Sequence, residues 1–164
     1  MDINTGSSQN FFVLCATIAM AVFASARGIE SLRAFSSTTE DFLHMRTLAI
    51  QAGIAAICSM LPLALSGVLS GIAISSYALF GLTSAAYVRF VYQIARKKIV
   101  IRYKAITLTL LVAAALGLAA VLMNAINIQS AELYKGAMLL FLAILCVRFY
   151  LIVGLVLKPR ELDH

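Results

Sequence analysis

Residues 47–92 read TLAIQAGIAAICSMLPLALSGVLSGIAISSYALFGLTSAAYVRFVY, a stretch in which Arg89 is the one charged residue. An α-helix rises about 1.5 Å per residue, so about 20 apolar residues cross the roughly 30 Å of hydrocarbon in a bilayer. The stretch is too long for one crossing and suits two. Ser66-Gly67, with Gly71 just beyond, supplies the turn between them. Pro62 lies about one turn earlier, where a kink is tolerated if neighbouring helices or water re-satisfy the freed carbonyl. Gly67 and Gly71 also match the GxxxG spacing of close-packed membrane helices, but the turn signals around them favour a connection.

Upstream, Ser37-Thr38-Thr39-Glu40 has the S/T-x-x-E pattern in which a hydroxyl and a carboxylate satisfy each other's free backbone N–H groups, so a helix starts near Thr38. Glu40 and Asp41 place negative charge at that helix N-terminus. The run before it, Phe11 to Ala26, is flanked by Arg27 and Arg33 and reads as a first span that breaks at Ser36-Ser37. Ala24-Ser25-Ala26 resembles a signal-peptidase site, which makes a cleaved leader the rival reading. The ten residues before the run contain Asp2 and no Lys or Arg, whereas a leader wants a positive start.

Downstream, Arg96-Lys97-Lys98, Arg102 and Lys104 form a basic loop, followed by apolar runs ending at Asn124, Asn127, Gln129 and Glu132 and at Lys158-Pro159-Arg160. Helices are therefore expected over about 10–34, 38–65, 69–98, 105–127 and 133–157, in one transmembrane domain spanning 1–164. Charged residues are 12% of the chain against roughly 25% in soluble domains, and mean hydropathy is +0.97. The expected fold is an all-α integral membrane bundle of five spans. With five spans, ten of the thirteen Lys and Arg residues fall on one side, Lys135 alone falls on the other, and Arg89 and Arg148 lie within helices. Positive charge marks the cytoplasmic face, so the N-terminus is expected outside and the C-terminus inside. An even number of spans would put one basic cluster on the wrong side. Short loops and the lack of an N-x-S/T sequon point by default to a bacterial inner membrane.

Arg148 is the candidate functional residue. It lies ten positions before Lys158, so its Cα is about 15 Å from the cytoplasmic end, too deep for easy snorkelling. An arginine at a helix centre costs about 2.5–3.5 kcal/mol on insertion scales and is by default a functional candidate. All seven acids fall in tails, loops or helix ends, so no internal carboxylate is at hand. Its partner is then a polar group such as Gln51, Ser59, Ser84 or Tyr87, water, a lipid phosphate, an anionic ligand, or an acid from another protein. Arg89 lies seven residues before Arg96 and reaches the headgroups by snorkelling. The strings Val88-Arg89-Phe90 and Val147-Arg148-Phe149 hint at a repeat, but their flanks agree at few positions.

Other features have structural readings. Ala113, Gly117, Ala120 and Asn124 share one face of the fourth helix, small residues ending in an amide, which suits close helix packing with an interhelical hydrogen bond. The loop 96–104 is an orientation signal first and an anionic-lipid contact second, with no nucleic acid expected. Cys15, Cys58 and Cys146 read as buried small apolar residues. No GxSxG, HExxH, P-loop, paired intramembrane acids or Cys/His pair occurs, so no metal, cofactor or enzymatic activity is expected. Two functions remain. One is an assembling or accessory subunit, a homo-oligomer or a partner's companion, in which Arg148 meets a partner's acid. The other is a small transporter or channel for an anionic solute, using Arg148 with Gln51, Tyr87 and Arg89 as candidates.

Overall fold

The computed structural model describes residues 6–33, 39–66, 71–97 and 104–156. They form five long helices: α1 (Gly6–Arg33), α2 (Thr39–Ala64), α3 (Gly71–Ala95), α4 (Lys104–Met123, prolonged by a π-helical turn Asn124–Ile128) and α5 (Ala131–Val156). Each is long and apolar enough to cross a membrane, so the chain is a polytopic all-α bundle. Of the expected turn, Leu65 and Ser66 are in place while Gly67 lies outside the described residues, as do Ser37 and Thr38 of the capping pattern, Lys98 to Tyr103 of the basic loop, and Lys158-Pro159-Arg160. Gly71 opens α3 so close to the end of α2 that an added Cβ would stand 2.5 Å from the Leu65 carbonyl oxygen. That contact explains a glycine at this position.

Cross-helix contacts show that successive helices run in opposite directions. Phe12, early in α1, and Cys58, late in α2, both meet Tyr134, early in α5. Thr47, early in α2, hydrogen-bonds Gln93, late in α3, at 3.1 Å. Exposed Arg27, Arg46, Arg96, Lys97 and Lys104 consequently lie at one end of the bundle, opposite Lys135.

α2 is the central helix, packed on α1, α3 and α5, and half of its apolar window is buried, against 17% for α4. α1 packs along α2 and puts Phe12, Cys15, Ala19, Val22 and Ala26, spaced alternately three and four apart, into a core shared with Ala49, Ala52 and Ala56 of α2. Small residues let the two backbones approach, and dispersion from that closeness replaces the hydrophobic drive that lipid does not supply. Cys146 differs from expectation: Cys15 and Cys58 are buried but Cys146 is exposed on α5, because in lipid an apolar residue has no preference between the inner and outer face.

The α4–α5 connection is built around Asn124. Its Nδ2 donates to Ser76 Oγ of α3 at 2.9 Å, and its Oδ1 accepts from the Ser130 backbone N–H at 2.6 Å. Gln129, in the left-handed region at φ 47°, closes the π-helical turn by donating its N–H to the Asn124 carbonyl at 2.8 Å. Ser130 then caps α5, its hydroxyl accepting from Leu133 N–H at 3.4 Å. α5 thus begins at Ala131, two residues earlier than expected, and α1 begins at Gly6 rather than near residue 10.

Candidate functional site

Four helices line a partly open cavity of about 130 Å³. Its wall runs from His44 to Ala55 on α2, Leu79 to Phe90 on α3, Thr107 to Leu118 on α4, and Phe141 to Ile152 on α5. Each segment advances eleven residues, about 16 Å of helix rise, so the space extends over about half a bilayer's hydrocarbon thickness. Because α2 and α4 start at the basic end and α3 and α5 finish there, His44, Phe90, Thr107 and Ile152 mark its shallow end. Ala55, Leu79, Leu118 and Phe141 mark its deep end near the bundle's middle.

Arg148 stands in this wall. Its Nη1 donates to Gln51 Oε1 on α2, and its guanidinium carbon lies 4.3 Å from the centroid of the Phe90 ring on α3. A cation over an aromatic face within about 6 Å is attracted by the ring quadrupole. Nη2 is buried and has no hydrogen-bond acceptor. Among the described residues the ion pairs are Arg27 with Glu30 and Lys135 with Glu132, both near helix ends, so no carboxylate reaches the Arg148 charge. A guanidinium has five N–H donors, and a closed-off donor left unmade costs about 1–3 kcal/mol, more when charged.

Of the four candidates from the sequence, Gln51, Tyr87 and Arg148 line the same cavity, whereas Arg89 is exposed and takes no part in it. The two V-R-F strings therefore place their arginines in unlike surroundings, one on the outer face of α3 and one in the cavity wall. Ser59, another possible partner, hydrogen-bonds the Ala55 carbonyl at 2.7 Å and Met138 Sδ at 3.4 Å instead. Of the packing stripe on α4, Gly117 is buried, and a Cβ there would meet Leu140 Cδ2 at 3.0 Å; Asn124 is buried as described, and Ala113 and Ala120 are partly buried.

Sequence reasoning missed Phe90, His44, Thr83 and Thr107 as cavity residues. Phe90 carried a signal in adjoining Arg89, but the sequence does not say which of two neighbours turns inward. The hydroxyl of Thr83 is already used, donating to the Leu79 carbonyl within α3. Chemically, the arrangement offers a fixed, incompletely bonded cation beside an apolar space, with amide and phenol groups near it. The chain matches no family model, no curated protein and no solved structure.

Proposed function

We propose that this chain is a non-enzymatic polytopic membrane protein that binds an anionic ligand in the α2–α5 cavity through Arg148, as a small carrier does. The observation that carries this reading is the Arg148 guanidinium, with Gln51 and Phe90 as neighbours and Nη2 still without an acceptor, in the wall of an internal cavity. An intramembrane charge is costly and is retained where it meets a ligand or a pathway. Gln51 orients the guanidinium without neutralising it, since a neutral amide leaves the positive charge for an anion. The subunit reading rests on Arg148 without an internal carboxylate and on small-residue helix faces; what favours a ligand over a partner's acid is that Arg148 stands in a cavity wall between helices and not on an outer face.

The proposed setting is a cell membrane, a bacterial inner membrane by default, with the basic end in the cytoplasm and anionic lipid at loop 96–104, on the ten-to-one distribution of Lys and Arg. The test is ligand-induced stabilisation of the purified protein by a panel of anions, including inorganic phosphate and octanoate. A ligand at about 100 times its Kd stabilises by about 2.7 kcal/mol, which raises the melting temperature measurably. Arg148→Leu should abolish the shift while leaving the unliganded protein folded. If no anion shifts the wild type, or if Arg148→Leu shifts equally, the reading fails. Anion flux in proteoliposomes, lost in the same variant, would extend binding to transport.

A further inference from the structure

The cavity is polarised along its length. Toward the basic end its wall carries His44, Tyr87, Thr107 and the Arg148 side chain, at mid-depth Gln51 and Thr83, and nearest the bundle's middle only the apolar Ile54, Ala55, Leu79, Leu118, Phe141 and Ile144. A small hydrophilic anion has use for the polar part alone, because the wall past Gln51 and Thr83 offers it no side-chain donors. Water in that deepest part would lack the two to four polar partners that hold a buried water. A hydrocarbon chain is the occupant whose chemistry fits there, and pockets that bind small amphiphiles combine such walls with a few placed polar groups. The polarity also runs as it does in a leaflet, charge toward the surface and apolar walls toward the midplane.

We infer that the cavity takes an anionic amphiphile, a carboxylate or phosphate head held at Arg148 with its hydrocarbon tail lying among Leu79, Leu118, Phe141 and their neighbours. The inference rests on the proposed anion site and adds the class of ligand. The head takes the acceptor role that Nη2 lacks, while Phe90 keeps the guanidinium plane in position and Gln51 retains Nη1. The Tyr87 hydroxyl is a neutral donor in the same part of the cavity. No covalent step is involved.

The test uses the full chain purified in mild detergent and three probes: octanoate carrying a diazirine near its methyl end, octanol as the uncharged analogue, and inorganic phosphate as the head without a tail. Octanoate should bind with about one molecule per chain, octanol should bind at least about tenfold more weakly, and phosphate should not displace octanoate at comparable concentration. Photolysis should label α4 and α5 near Leu118 and Phe141. Arg148→Leu should weaken octanoate by at least about tenfold and leave octanol unchanged, and Ala114→Phe, which fills the deep part, should exclude octanoate while preserving the melting temperature. Phosphate binding that needs Arg148 and gains nothing from a tail overturns the amphiphile and leaves the anion site standing. Arg148-independent binding of every probe overturns both. Photolabel confined to the outer faces, such as Leu116 or Tyr150, assigns the lipid to the annulus and overturns the inference. If Ala114→Phe does not fold, the photolabelled positions and the Arg148→Leu comparison decide.

Discussion

At the scale of single residues, Arg148 and Gln51 make opposite predictions for stability. Removing a charge from an apolar interior relieves its desolvation, and replacing a buried ionic group by a well-packed apolar one is often neutral or stabilising by about 1–4 kcal/mol. Arg148→Leu is therefore expected to unfold at the same or a higher denaturant concentration than the wild type. Gln51→Leu removes the acceptor and keeps the charge, which should destabilise by about 1.5–3 kcal/mol, the range for a hydrogen bond to a charged group. Equilibrium unfolding of the two variants in one detergent compares them directly. If Arg148→Leu were the less stable of the two, the arginine would be serving the bundle and not a ligand. Sequence alone made Arg148 a candidate because no acid shared its depth; that Gln51 would meet it, from 97 residues away, needed the helices to be placed.

At the scale of elements, the end of α4 is held by one amide. Asn124 joins α3 through Ser76 and the start of α5 through Ser130, so a single side chain ties three helices together. Hydrogen bonds between membrane helices average about 0.6 kcal/mol and reach about 1.7. Asn124→Leu, losing two contacts and leaving the Ser76 hydroxyl and Ser130 N–H unmet, should cost about 1–3 kcal/mol and lower the melting temperature. Asn124→Ser, which keeps a shorter polar group, should recover part of that loss. The hydrophobic runs and flanking charges located each span to within four residues of its observed start, because a run must match the hydrocarbon thickness. The π-helical turn was not legible, since it follows from fitting Asn124 between Ser76 and Ser130 rather than from local propensity. The Ser130 cap of α5 has a local signal in a serine followed by Glu132 in the first turn, and it starts the helix two residues ahead of the 133 expected.

At the scale of the whole molecule, the five helices put their exposed basic residues at one end, and the expected topology places that end in the cytoplasm. In a variant with Cys15, Cys58 and Cys146 replaced, single cysteines at Ile101 and Gln129 should be labelled from opposite faces of intact cells, Gln129 from outside. Labelling of Ile101 from outside would invert the model. α1 contributes Phe12, Cys15, Ala19 and Val22 to the shared core, so the purified chain should retain it, and N-terminal sequencing checks this against cleavage after Ala26. Span number, length and charge asymmetry were determined by the sequence alone, because crossing hydrocarbon demands long uncharged helices whatever their neighbours do. The rotation of each helix was decided only by tertiary packing. In water a polar face marks the outside, but lipid is as apolar as the core, so α4 with exposed Leu108, Val112 and Leu116 and buried Leu118 and Val121 carries no outward signature. The same indifference left Arg89 and Arg148 alike on paper. Only the meeting of α2, α3 and α5 turned one of them to lipid and the other onto Gln51, Phe90 and the cavity.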